Sequence, residues 1–246
     1  MQMFASLVPL VLLSVSLFGG AEAAWPAAKG TVKVTKTQPV PRGSPFDGKL
    51  QRFVSSGLGD GGQGENQKPL FELAPGASLS NVIIGAPAAD GIHCLGSCTL
   101  TNVWFEDVGE DAVTFKGSGD MVVNTGGARS ASDKVFQFNG GGTATIRNFE
   151  VSDFGKMGRS CGNCKTQYKR NWVLENITAI NGKKGLIGIN TNLGDTATFR
   201  NIKISGKRID VCDMYKAVPK GSEPADPVAG INNAYCKFTS KDVTYV

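Results

Sequence analysis

The sequence predicts an all-β, single-domain parallel β-helix, a solenoid of about seven to eight coils, and three observations carry that prediction. First, one short form recurs: apolar, polar, Asn, then alternating apolar residues. It is seen in Leu79–Gly85, Leu100–Glu106, Ile146–Ser152, Leu174–Ile180 and Phe199–Ser205, with a degenerate copy at Met121–Asn124. The asparagines fall at 81, 102, 124, 148, 176 and 201, at intervals of 21, 22, 24, 28 and 25. Second, four polar clusters keep nearly the same step. With Asp90, Asp111, Lys134 and Lys156 as markers, the steps are 21, 23 and 22 residues. A period near 22 suits one coil of short strands and turns, and the markers would then align along one face over roughly 15 Å, at about 4.8 Å per coil. Third, no stretch shows a sustained helical period, and glycine is abundant at the corners.

Taken in order, the chain opens on an apolar run from Phe4 to Phe18, followed by Gly19-Gly20 and the small-residue site Ala21-Glu22-Ala23. This reads as a secretory signal, residues 1–23, and places the mature chain 24–246 outside the cell. Read as a membrane anchor instead, the run is shorter than the roughly 18 residues a spanning helix needs. Residues 24–48 are rich in Pro, Gly and Lys and are expected to be an irregular lead-in, with Thr31–Thr35 as a first strand. Leu50–Val54 is ambiguous. Gly57–Gly64 is a Gly-rich loop without the Lys-Ser/Thr of a phosphate cradle. The repeat then runs from 79 to 206. Its apolar alternation points Val, Ile and Phe inward, and an Asn at a sharp turn tolerates the left-handed backbone and can bond its stacked neighbour. The 28-residue interval between Asn148 and Asn176 marks an insertion holding Cys161-Gly-Asn-Cys164. Asn176-Ile177-Thr178 is a glycosylation sequon on a ladder position, so modification there is not expected. Residues 207–246, interrupted by Pro219, Pro224 and Pro227, are expected to cap the open end and to add a last strand within 238–246.

Composition narrows the partners. The formal charge is +5; without residues 1–23, which include Glu22, it is +6, from 26 basic against 20 acidic side chains. A basic secreted chain attracts polyanions. No Arg-rich helix or aromatic-interleaved basic stripe suits nucleic acid, and no further apolar run suits a membrane. Acidic polysaccharide is the expected partner, bound by a monomer. The six cysteines, Cys94, Cys98, Cys161, Cys164, Cys212 and Cys236, predict three bridges in an oxidising compartment, with Cys212–Cys236 closing the C-terminal segment. The number alone permits 15 pairings. Cys161 and Cys164 could also be read as a redox or zinc pair, which a secreted chain with one His makes unfavourable.

The marker face carries acids first and bases after, an order that suits a cation site beside cationic side chains, or a merely solvated face. The runs Ala-Asp-Gly-Ile-His-Cys (89–94), Val-Gly-Glu-Asp-Ala (108–112), Ala-Ser-Asp-Lys-Val-Phe-Gln (131–137), Asn-Gly-Gly-Gly (139–142) and Gly-Lys-x-x-Arg (155–159) closely resemble polysaccharide lyase family 3. These are secreted pectate lyases of microbes and plant-parasitic nematodes, and the likeness, fungal or oomycete in type, spans residues 27–240. The resemblance implies a right-handed parallel β-helix that cleaves polygalacturonate or low-ester pectin by Ca2+-dependent β-elimination. It implies Asp90, Glu110, Asp111 and Asp133 as calcium-associated carboxylates. It also implies Lys134, Lys156 and Arg159 as catalytic and substrate-binding cations, with Glu65 near the substrate groove.

The chemistry accounts for these residue types. The proton removed at C5 of a galacturonate is alpha to a carboxylate, whose charge makes it barely acidic; a hard cation held by Asp and Glu oxygens neutralises that charge. The base must be neutral, and a lysine ordinarily titrates near 10.4. Lys134, expected among like charges that lower its pKa, is the candidate base, with Lys156 and Arg159 holding substrate carboxylates; the role could still pass among the three. An alkaline optimum follows. Strand neighbours point to opposite faces, so Asp133 and Lys134 share the groove only if a turn falls there, as Gly126–Ser132 suggests. Arg129 is either a further substrate contact or a solvated loop residue. His93 has no evident partner and reads as structural rather than as a general acid. Two rivals stay open: a polygalacturonase-type hydrolase using paired carboxylates such as Glu110 and Asp111, and a non-catalytic pectin-binding or host-interacting protein.

Overall fold

The structure, a computed structural model, describes residues 25–246, so the predicted signal segment lies outside the described residues. Among the described residues no helix is long and apolar enough to cross a membrane. Helical structure among them amounts to a short 3-10 turn, Thr191–Leu193.

Two parallel sheets stack the same coils. Long strands Thr31–Val34, Phe46–Ser55, Ala77–Ile84, Cys98–Phe105, Met121–Arg129, Gly142–Ser152, Arg170–Ile180 and Thr196–Ser205 pair in chain order. Short strands Gln38–Val40, Phe71–Leu73, Ile92–Cys94, Asp111–Phe115, Lys134–Phe138, Lys156–Ser160, Gly185–Asn190 and Cys212–Tyr215 form the second sheet in the same order. One long and one short strand make a coil, so eight coils stack into a parallel β-helix. Inward side chains of both sheets merge into one core. Phenylalanines stack through it coil upon coil, as in Phe115 against Phe136, and Phe138 edge-on to Trp172. Such pairs add about 0.5–1.5 kcal/mol each beyond their burial.

The long strands bend where the repeated asparagines fall. Asn81, Asn102, Asn148, Asn176 and Asn201 all have φ between 52° and 57°, the left-handed region that Asn tolerates better than most residues. Their amides form a ladder: Asn102 donates to Asn81 at 2.8 Å, Asn176 to Asn148 at 3.0 Å and Asn201 to Asn176 at 2.8 Å. The degenerate copy departs from it. There Thr125 takes the left-handed position. Asn124 still accepts from Asn148, at 3.0 Å, while the Asn102 oxygen turns to the Trp104 indole at 2.7 Å. The ladder is thus two runs with a break between 102 and 124.

Both ends are more regular than the sequence suggests. The lead-in 24–48 supplies the whole first coil and the start of the second. Pro39 is accommodated because its strand is at the edge of its sheet. At the other end the solenoid continues past 207. Cys212–Tyr215 is an eighth short strand, and the cap begins beyond it. The last strand, Val243–Tyr245, covers the edge of Thr196–Ser205. The cysteines pair as Cys94–Cys98, Cys161–Cys164 and Cys212–Cys236, which leaves no thiolate of the second pair for zinc.

Candidate active site

The short-strand sheet brings the marker residues onto one line. Lys134 is in register with Asp111 on the preceding coil and with Lys156 on the following one. Ile92 is in register with Val113, so Asp90, two residues earlier, sits in the turn at the station of Asp111. Successive coils therefore present Asp90, Asp111, Lys134 and Lys156. Their flank is a groove with two adjoining halves, both bordered by Lys134, Gln137, Asn163 and Glu223.

The first half is acidic. Glu65, Asp90, Glu110 and Asp111 line it together. Asp111 is 2 % exposed, and its Oδ1 accepts no hydrogen bond. Asp90 Oδ1 is likewise buried without a partner, while its Oδ2 lies 2.8 Å from His93 Nε2. His93 therefore does have a partner: it fixes one oxygen of Asp90 and leaves the other free. Burial pushes the Asp111 carboxyl well above the ordinary range; Lys134 opposes this, and Glu110 and Asp90 add to it. Burial also raises Glu110, with Asp111 and Lys134 opposing. Glu65 is on the exposed rim.

The second half is cationic, lined by Lys134, Lys156, Arg159, Lys184 and Tyr215. Asp133 is here and not in the acidic half. It pairs with Lys134 Nζ and, at 3.4 Å, with Lys184 Nζ. Burial raises its carboxyl, but the two lysines outweigh burial and hold it below the ordinary range, opposite to Asp111. Asp133 and Lys134 both reach the groove because the strand begins only at Lys134, after a left-handed Ser130. Lys134 departs from expectation: burial lowers its pKa, but Asp111 (3.6 Å), Asp133 and Glu110 outweigh burial and raise it. The expected neighbouring cations are not what surrounds its ammonium. Lys156 is paired instead with the buried Asp213. Arg159 lies 3.7 Å over the Tyr215 ring and donates to Asn190 Oδ1 at 3.0 Å and to Ser160 O at 2.7 Å; burial lowers its pKa to about 10.

Arg129 is not in the groove. It ends a long strand, 4.5 Å over Trp25, and lines neither half. Conversely, Asp213, Tyr215, Lys184 and Arg170 went unread in the sequence. Arg170 is fully buried and donates to the carbonyls of Asn139 (2.7 Å), Gly140 (2.8 Å) and Tyr168 (3.2 Å), which ties the insertion to the fifth coil.

The profile of the pectate lyase family matches residues 22–222. Pectate lyase H of Emericella nidulans is 42% identical over 217 residues, 87% of this chain and 82% of that protein. Probable pectate lyase E of Aspergillus flavus is 44% identical over 218 residues, with the same coverage. Among solved structures, the catalytic domain of pectate lyase PelI from Erwinia chrysanthemi superposes with a TM-score of 0.72 at 28% identity, covering 89% of this chain and 98% of that one. PelI in complex with tetragalacturonic acid gives 0.72 at 29% identity, covering 87% of this chain and 70% of that one. With its eight stacked coils and the groove along their short strands, the chain belongs to the pectate lyase family and is a lyase.

Proposed function

We propose that this protein is a secreted, monomeric enzyme that cleaves polygalacturonate by Ca2+-dependent β-elimination, acting on the pectin of plant cell walls. The single mature domain, 24–246, would carry the whole reaction. One observation supports it above the others: buried carboxylate oxygens of Asp90 and Asp111 that accept no hydrogen bond adjoin stacked cations on the next coils. The donor set fits calcium. It is all oxygen, it is crowded with like charge, and two of its buried oxygens accept no hydrogen bond, which suits a hard cation. Among the described residues no three such side chains converge at ligand spacing. Asp90, Glu110 and Asp111 would hold the ion. Asp133, bound to two lysines, is the least suited of the four proposed ligands. Glu65, at the rim, would border the substrate path.

Bound there, calcium would neutralise the substrate carboxylate and so make the C5 proton acidic. Lys134 is the proposed base. Two of the acids that raise its pKa, Asp111 and Glu110, are among those that would serve the ion, so their hold on the ammonium weakens when they are engaged, while Asp133 stays paired with it. Lys156, with its own buried counter-ion, keeps its partner throughout. Lys134 Nζ takes the proton from C5, the C4–C5 double bond forms, and the C4–O4 bond breaks, with a proton from water closing the new hydroxyl. Arg159 is protonated at neutral pH even at a pKa of about 10 and offers a fixed donor fork to a substrate carboxylate.

The test is the product. Polygalacturonate incubated with the protein and calcium should yield an ultraviolet-absorbing unsaturated uronide, and a chelator should abolish it. New reducing ends without that absorbance would mean hydrolysis and would overturn the reading.

A further inference from the structure

The eighth coil reaches into the groove past the seventh. Asp213 and Tyr215 belong to the short strand Cys212–Tyr215. Lys156 and Arg159 belong to the sixth coil, two layers away. On the intervening coil Lys156 is in register with Gly185, and Arg159 with Gly188. Side chains at these two stations would close the way. A Cβ on Gly185 would stand 2.4 Å from Asp213 Oδ2 and 3.0 Å from Lys156 Nζ. A Cβ on Gly188 would stand 2.6 Å from Arg159 Cδ and 3.0 Å from Tyr215 Cε2. The seventh coil is thus stripped at both positions where the eighth must touch the sixth.

Through this window the contacts are specific. Asp213 Oδ2 pairs with Lys156 Nζ, with side-chain exposures of 2 % and 8 %. The Tyr215 ring lies 3.7 Å under the Arg159 guanidinium and 5.6 Å from Lys156 Nζ. A buried charge deprived of its partner is costly, so Lys156 is confined to the place where Asp213 holds it. Burial pushes the Asp213 carboxyl up, with Lys156 opposing.

We propose that Asp213 is a positioning residue for the elimination reaction, holding the Lys156 ammonium in the groove through the opening at Gly185, with Tyr215 supporting Arg159 in the same way through Gly188. The two stacked lysines then differ by their carboxylates. Lys156 is held by the buried Asp213 of the eighth coil, and Lys134 by Asp111 and Asp133 of the fourth and fifth coils. This rests on the lyase reading above.

The experiment is a double-mutant cycle on the full mature chain, with Asp213→Asn and Lys156→Met, singly and together. Rates of ultraviolet-absorbing product are read against polygalacturonate concentration, and each variant is melted. Asp213→Asn should lower kcat about 10–100-fold, as a small misplacement of a positioned charge does, with KM changed less than about threefold. In the Lys156→Met background the same change should alter kcat by less than about twofold. The double variant should melt above Asp213→Asn, because no unpaired buried charge remains. Gly185→Ala, which displaces Asp213 without removing a charge, should also lower kcat. If Asp213→Asn does not fold, the double variant and Gly185→Ala carry the comparison: the first must match Lys156→Met in kcat, and the second must fall below wild type. Equal losses from Asp213→Asn in both backgrounds, or an unchanged kcat, would overturn the proposal. Failure of the lyase reading shows separately, as a wild-type protein that makes no unsaturated product.

Discussion

Each coil shows two faces, and they use the repeat in opposite ways. At the corner of the long strands the same residue returns: Asn81, Asn102, Asn148, Asn176 and Asn201, each left-handed and most bonded to the next. On the short-strand face the aligned residue changes along the stack, from acid to base to glycine: Asp90 and Asp111, then Lys134 and Lys156, then Gly185. Sameness in register serves stacking, because each amide supplies a donor and an acceptor to its neighbours. Difference in register serves chemistry, because it sets an acid beside a base about 4.8 Å apart. If the comparison holds, corner substitutions should cost stability with little activity, and groove substitutions should do the reverse.

The largest effect is expected from Lys134→Ala. Its kcat should fall about 10²–10⁴-fold, as loss of a general base does, while polygalacturonate binding stays nearly intact. Turnover that survives would remove Lys134 from its role. Asp111→Asn separates activity from stability more sharply. In the cation-free protein burial and neighbouring acids raise the Asp111 carboxyl well above 3.8. An acid raised on folding contributes stability below its unfolded pKa and loses that contribution as pH rises through the folded value. The ionised Asp111 is therefore unfavourable at pH 7. Asp111→Asn should nearly abolish turnover yet raise Tm there by about 2–4 °C for each kcal/mol relieved. The gap from wild type should narrow as the pH is lowered. A lower Tm at pH 7 would contradict this.

At the corner, Asn148→Ala places a Cβ residue without a capping amide in the left-handed region and breaks two ladder bonds. Together these cost about 2–4 kcal/mol, a Tm lower by roughly 5–15 °C, with kcat within about twofold of wild type. Asn148→Gly should recover part of that loss, since it keeps the backbone. The smallest effect is Arg129→Ala, which should leave KM within about twofold because the residue lines neither half of the groove.

The same contrast explains what the sequence disclosed. Repeated identity is visible in a single chain, so the Asn form fixed the coil length, and the near-constant marker spacing placed Asp90, Asp111, Lys134 and Lys156 on one line. What depends on non-repeating contacts was hidden. Asp213 and Tyr215 sit on a four-residue strand without the Asn form, in a stretch that resembles the start of a cap. Gly185 and Gly188 look like corner glycines, yet they act by absence of a side chain. The partner of His93 is only three residues away, but the turn that brings Asp90 back to it leaves no periodic trace. Register sets Lys134 between Asp111 and Lys156 but does not say which side chains turn toward its ammonium, and these are Asp111, Asp133 and Glu110. Arg129 was misplaced for a related reason. The long strand runs unbroken to Arg129, so that residue belongs to the corner sheet and not to the turn before Lys134.

The most direct measurement is a calcium titration of the elimination rate, comparing wild type, Asp111→Asn and Lys134→Ala on polygalacturonate. A groove built from stacked acids and bases predicts saturable calcium activation in the wild type, with a much higher calcium requirement in Asp111→Asn. It predicts no appreciable product from Lys134→Ala at any calcium concentration. Equal calcium dependence in wild type and Asp111→Asn, with ordinary turnover by Lys134→Ala, would contradict it.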